Sequence, residues 1–184
     1  MHPTPSSSPG VSHPHTLGVR PVASGTWTVV PEASRAAFTV RDKLFATVHG
    51  TFPVRAGTVV TDTHGAVVRA RMELEVAGVT TGNARRDRDL RKPHLLDAAA
   101  HPTVVVEADR VTPSEAGWTV EARLTARGAS SPLELRVTPS GADDRQVQVR
   151  VTGRLDRSGL GMRVPTVVIG RHVEIDVDAL FRRA

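Results

Sequence analysis

The chain has 184 residues, enough for one domain with a substantial core, and a formal net charge of +5 carried almost wholly by arginine. It contains no cysteine, which excludes disulfides, thiolate catalysis and cysteine-ligated metals together. Tyrosine is absent and the four Phe and two Trp are scattered, so no stacking platform for single-stranded nucleic acid is present, and no nucleic-acid partner is expected.

Residues 1–24 are rich in Pro, Ser and His. They carry too little apolar surface to offset ordering entropy, which predicts a disordered tail ahead of a single domain over residues 25–184. His13 and His15 in such a tail make a poor metal site. The start shows no basic stretch followed by an apolar run, and no window approaches the ~20 apolar residues of a spanning helix, so a cytoplasmic location is expected.

From Gly25 onward the hydrophobic period becomes two. Strands are predicted over residues 26–30, 35–41, 47–52 and 57–61. Next, Val68, Ala70, Met72, Leu74 and Val76 alternate with Arg69, Arg71, Glu73 and Glu75, the pattern of a strand with one buried and one wet face.

The period then breaks. From Thr80 to Pro102 the chain opens with cap-forming Thr and Asn and runs in good helix formers, so a helical insertion ended by Pro93 is expected, with a second short turn around residues 95–99. Arg85, Arg86, Arg88, Arg91 and Lys92 crowd this segment beside Asp87 and Asp89. Arg85–Asp89 and Asp87–Arg91 stand at the spacing that pairs along a helix. Arg86, Arg88 and Lys92 remain as candidates to meet a phosphorylated headgroup or an anionic membrane; the alternative is a self-neutralising solvated helix.

Alternation resumes over residues 103–110. It continues through Trp118, Val120, Ala122 and Leu124, then Leu133, Leu135 and Val137, then Val147, Val149 and Val151, and last Val173, Ile175 and Val177. Eight to ten strands joined by short links give antiparallel hairpins. With nothing else large enough to cover a flat sheet, the sheet must cover itself, as a closed barrel or a sandwich. The predicted fold is all-β: an antiparallel barrel of eight strands or slightly more with a short helical insertion. A barrel of this size either fills with side chains or holds one small ligand.

Catalytic patterns are missing. His49, His64, His94, His101 and His172 show no zinc-ligand spacing, and neither GxSxG nor GxGxxG occurs. Asp62 with His64 and Asp97 with His101 have no nucleophile placed beside them, and Asp143-Asp144 reads as a turn. No cofactor or metal is expected, and the chain is not expected to be an enzyme.

Several segments arrive in a telling order: GTWTVVPEASRAAFTV, VHGTF, VTTGNARRDRDLRKPHLLDAAAHPTVVVEA, RLTARGASSPLELRV and LDRSGLGM. Together they resemble the YceI-like, polyisoprenoid-binding family over residues 25–182, with Thr81, Gly82, Asn83, Arg86, Asp87, Leu90, Asp97 and Pro102 the most specific matches. The resemblance implies a lipocalin-like barrel with a long internal tunnel for a polyprenyl chain, in a family not known for catalysis. This chain departs at Asp89, where a histidine is usual, at Leu95 and Leu96, where aromatics are usual, at His101 in place of Tyr, and at Val104 and Val106.

The expected tunnel wall is Phe38, Val40, Phe52, Ala70, Met72, Leu74, Val76, Leu90, Leu95, Leu96, Val104, Val106, Trp118, Val120, Ala122, Leu124, Leu135, Val149, Met162 and Ile175. The expected partners are a long-chain isoprenoid or similar lipid and, transiently, an anionic membrane surface, with a homodimer allowed. The alternatives are a filled barrel acting as an interaction module, and an enzyme acting on an isoprenoid lipid.

Overall fold

The computed structural model describes residues 22–42, 46–162 and 169–184. Ten strands form one antiparallel sheet: β1 (Gly25–Val29), β2 (Arg35–Asp42), β3 (Thr47–Phe52), β4 (Val54–Thr61), β5 (Val67–Glu75), β6 (Thr103–Ser114), β7 (Gly117–Ala126), β8 (Ala129–Ala142), β9 (Gln146–Asp156) and β10 (Ile169–Arg183). The order is β1-β4-β5-β6-β7-β8-β9-β10-β2-β3, and β1 also pairs β10. That second pairing closes an eight-stranded barrel, which decides between the barrel and the sandwich that the alternation allowed. The hairpin β2–β3 continues its wall from the β10 side.

Two local breaks explain how ten strands make eight staves. β1 and β2 are interrupted by a 3-10 turn, Pro31–Ala33, and both pair with β10. Ser34 bridges the interruption: its hydroxyl donates to the Val30 carbonyl (2.8 Å) and accepts from the Leu180 N–H (3.1 Å). Pro53, which has no N–H to give a ladder, separates β3 from β4. Its carbonyl still accepts from the Glu75 N–H (2.9 Å), and its ring approaches so closely that a Cβ on Gly78 would lie 2.4 Å from it.

The strict alternation in β5 needs one correction. Val68, expected inside, is 62% exposed. The β4–β5 register slips between Val60↔Arg69 and Thr61↔Val67, so a bulge turns Val68 out and Val67 in before Ala70, Met72 and Leu74 resume the inward phase. The outer faces carry the charges, in cross-strand pairs such as Arg71–Glu107 (2.6 Å), Arg123–Asp109 (3.2 Å) and Arg150–Asp176 (2.6 Å). Exposed pairs of this kind contribute little stability, and they account for much of the arginine as a solvated surface.

Between β5 and β6 lies the predicted insertion, with one helix, α1 (Ala84–Leu90), followed by turns through residue 100. Asn83 caps α1, its side chain accepting from the N–H groups of Arg85 and Arg86 (both 3.1 Å). Of the predicted tail, residues 1–21 lie outside the described residues. Residues 22–24 do not behave as a tail: Val22 and Ala23 pack on the buried cluster around Trp27, and the Ala23 carbonyl accepts from Trp27 Nε1 (3.1 Å).

Candidate functional site

The inward faces of the strands enclose a cavity of about 370 Å³ whose walls are almost wholly apolar. Every residue predicted for the tunnel wall lines it except Val76. Val76 follows the end of β5 and is buried with Val79 and Leu96 beneath the insertion, its N–H bonded to the Pro102 carbonyl (2.9 Å). Alternation ceases to report on the lumen once the strand has ended.

The placement of individual side chains follows from local constraints. Phe38 projects into the cavity because its ring lies over Gly50 on the paired strand, where a Cβ would come within 2.3 Å of it. Phe52 then meets Phe38 with ring centroids 5.3 Å apart. On β7 and β8, Ala122 faces Leu133 across the ladder, and Val120 faces Leu135.

The sequence reading left several wall residues out. Trp27 and Phe181, 2% and 8% exposed, line one end. Trp27 and Val29 alternate with Thr26 and Thr28, and Ala179 and Phe181 continue the phase of Val173, Ile175 and Val177. The same rule would have found them had it been carried to the ends of both strands.

The insertion covers the other end. Leu90, Leu95 and Leu96 line the cavity from it, joined by Leu160 and Met162 from the segment that follows β9. A polar lattice behind α1 holds the insertion in place. Asp87 is buried and accepts from the Thr80 hydroxyl (3.1 Å) and from the Thr81 N–H (2.8 Å) and hydroxyl. The Thr81 hydroxyl in particular holds the Asp87 carboxyl below its ordinary pKa, against the opposing effect of burial.

That lattice corrects the predicted charge pairing. Arg86 donates from Nε to the Thr81 hydroxyl (2.7 Å) and from its terminal nitrogen to the Thr81 carbonyl (3.1 Å), so it is a structural brace and not a spare cation. Asp87 faces the threonines, while Arg91 reaches the Val79 carbonyl (3.1 Å). Asp89 pairs with Lys92 (2.6 Å) instead of Arg85. Arg88 is exposed and forms no ion pair among the described residues.

Two further features stand at this end. Arg127, in the β7–β8 turn, donates to the carbonyls of Pro93 (2.9 Å) and Gly161 (2.8 Å), tying the insertion to the segment after β9. Arg157 is 5% exposed, lines the cavity, and donates from Nε to the Gly170 carbonyl (2.8 Å). Its burial lowers the guanidinium pKa, partly opposed by the neighbouring Asp156. Asp156 caps the turn Arg157–Leu160 through the Ser158 N–H (2.9 Å) and pairs with Arg171 (2.6 Å), contacts that hold its carboxyl far below the usual carboxylate range.

The remaining polar candidates resolve into turns. The Asp62 carboxylate accepts from the N–H groups of His64 (2.8 Å) and Ala66 (2.9 Å), and Asp143 does the same for Arg145 and Gln146. Asp97 and His101 meet only through backbone, His101 N–H to Asp97 carbonyl (2.8 Å). Among the described residues no cluster of His, Asp and Glu could hold a metal ion, and no helix is long and apolar enough to cross a membrane.

A closed barrel, an apolar lumen and a capped insertion carrying the Thr-Gly-Asn and Arg-Asp residues are thus in place. The sequence profile of the YceI-like domain matches residues 27–181, nearly the whole described chain. This chain belongs to the YceI-like family. Solved structures agree on the fold. BcnA of Burkholderia cenocepacia matches with a TM-score of 0.72 at 18% identity, covering 83% of this chain and 98% of that one. A polyisoprenoid-binding domain from Saccharophagus degradans, implicated in plant cell wall breakdown, matches at 0.69 and 16%, covering 86% and 98%. The YceI protein of Campylobacter jejuni matches at 0.65 and 16%, covering 76% and 86%. No curated protein matches in sequence. The closed barrel is the architecture that the resemblance implied, and its strands and the one short α-helix among the described residues are those that the alternation and its break predicted.

Proposed function

We propose that this YceI-like protein binds a single long apolar lipid of isoprenoid type in its barrel and serves to carry or store it. The observation that carries the reading is the apolar cavity of about 370 Å³, lined from the insertion to Trp27. Its size falls within the ~300–1,000 Å³ of ligand sites, and its lining offers hydrocarbon almost nothing but hydrocarbon. A filled barrel acting as an interaction module does not account for that space. Family membership and the polyisoprenoid-binding description of the Saccharophagus domain support the isoprenoid assignment.

Energetics favour carriage over trapping. Each methylene leaving water contributes about 0.8 kcal/mol, so a twenty-carbon tail grosses about 16 kcal/mol, near the practical affinity ceiling. In a bilayer that tail is already out of water, and transfer into an apolar lumen changes little. Direction then comes from polar contacts at the insertion, where Arg88 is exposed and unpaired among the described residues and Lys92, exposed too, would exchange its Asp89 partner for an anionic membrane or headgroup. Among the described residues no nucleophile and base come together in the cavity to support chemistry on the lipid.

Native mass spectrometry of freshly purified protein tests the reading. The expected result is a discrete added mass that organic extraction removes and that analyses as an isoprenoid. Protein that is free of lipid when isolated and takes up none from prenyl lipids would sink it.

A further inference from the structure

The cavity has two unlike ends. At the insertion end the wall side chains Leu90, Leu95 and Met162 are only half-buried. At the opposite end the lining is aromatic: Trp27 and Phe181, 2% and 8% exposed, stand with the half-buried Trp118, beside Val59 and Val67. The indole there is fixed by more than packing. Residues 22–24 pass beside it, and the Ala23 carbonyl accepts from Trp27 Nε1 (3.1 Å) and from the Thr61 hydroxyl (2.8 Å). Arg183 in turn donates to the Ser24 carbonyl (2.6 Å), which fastens this segment to the end of β10.

We infer that Trp27, braced by Ala23, is the floor of a one-ended pocket and sets the longest isoprenoid chain that the barrel accepts. The inference rests on the lipid-binding reading above and adds a specificity-determining residue to it. A chain entering beneath the insertion would run down the lumen with its tail toward the indole. Rigid packing makes the stop abrupt: the floor side chains lie in a close-packed cluster with Val29, Ala36, Val54 and Ala179, so the wall cannot recede to admit another unit without losing contacts.

The depth can be read from β10. Its lining residues run from Val173 to Phe181. Eight residues at ~3.3 Å each, on a strand tilted by ~40°, give an axial depth of ~20 Å. One leaflet of a bilayer spans ~15 Å of hydrocarbon. The pocket therefore matches one tail of ordinary membrane length, and much longer prenyl chains must leave units outside.

The test is displacement of a fluorescent farnesyl analogue from delipidated full-length protein by geraniol, farnesol, geranylgeraniol and solanesol. While the tail still finds room, affinity should climb by up to about fourfold per methylene. Beyond the floor it should stop climbing, so solanesol gains nothing over the chain that fills the pocket. Trp27→Leu should move that break to a longer chain. Ala36→Leu, which adds bulk in the same buried cluster, should move it to a shorter one and serves if Trp27→Leu fails to fold. A break in the same place in a folded variant overturns the floor, as does wild-type affinity that rises through solanesol without a break; in both cases lipid binding itself stands. Wild type that is displaced by none of the four alcohols removes the binding reading together with the floor.

Discussion

At the scale of single residues, one small side chain separates an open lumen from a solid core. Ala122 is 4% exposed, lines the cavity and lies between Val120 and Leu124 on the inward face of β7. In a filled barrel a phenylalanine there would overpack and cost about 1–3 kcal/mol. Here the ring has space to enter the lumen, where it buries its own apolar surface and takes the volume that a lipid tail would use. Ala122→Phe is therefore expected to melt within a few degrees of delipidated wild type yet fail to bind a fluorescent prenyl analogue. Delipidated protein is the proper reference, because bound ligand raises apparent stability by mass action. A sharply destabilised variant would mean that the space is not usable. A stable variant with normal uptake would mean that lipid does not pass Ala122.

At the scale of elements, the strands were legible because each buries one face, and alternation reports that face directly. It failed at Val68, where a bulge shifts the phase, and at Val76, where the strand had ended. The insertion was legible as a helix between strands, from its cap-forming Asn83 and terminal Pro93. Its internal bonding was not, since spacing along a helix cannot show that Asp87 turns back to Thr80 and Thr81. The structure also shows a latch that no pattern announced. Arg127 holds φ = 54°, with Gly128 at 73°, so a two-residue turn of the mirror-image type carries arginine where Asn is favoured. Its two bonds to Pro93 and Gly161 explain why a side chain tolerates that strain. Arg127→Asn should relieve the turn while releasing the insertion. The two effects offset to within about 1–2 kcal/mol, a melting change of a few degrees, whereas a bound prenyl analogue should dissociate several-fold faster. An unaltered dissociation rate would reduce Arg127 to a turn residue. If the exposed cations of the insertion meet an anionic surface, as proposed, Arg88→Glu with Lys92→Glu should weaken binding to vesicles rich in anionic lipid and leave neutral vesicles unaffected. Equal effects on both vesicle types would return this face to plain solvation. Arg86 is kept out of that variant because it braces Thr81.

At the scale of the whole molecule, the barrel is closed by its two extremes in sequence. Trp27, Thr28 and Val29 pair with Arg183, Arg182 and Phe181, a seam of three residues supported by the Ala184 N–H on the Thr26 carbonyl (2.9 Å). So short a seam depends on what lies across it, and residues 22–24 lie across it. Composition assigned them to the tail, because three small residues, Val-Ala-Ser, carry no periodic signal; what orders them is the acceptor that Ala23 offers to two distant donors. Removing them leaves Trp27 Nε1 without its carbonyl and takes the shorter of two bonds from Thr61, which keeps only Gly25 at 3.2 Å. A buried donor left without its acceptor costs about 1–3 kcal/mol. For a domain of this size 1 kcal/mol moves the melting temperature by ~2–4 °C. A chain that begins at Gly25 should therefore melt about 2–12 °C below one that begins at Val22, with the larger part of the loss at the Trp27 end. Hydrogen exchange makes the assignment: amides of β1 and of the last residues of β10 should lose protection while those of β7 and β8 keep theirs. If the two chains melt together, or if protection falls evenly around the barrel, then residues 22–24 do not brace the seam, and the floor they support must be held by packing alone.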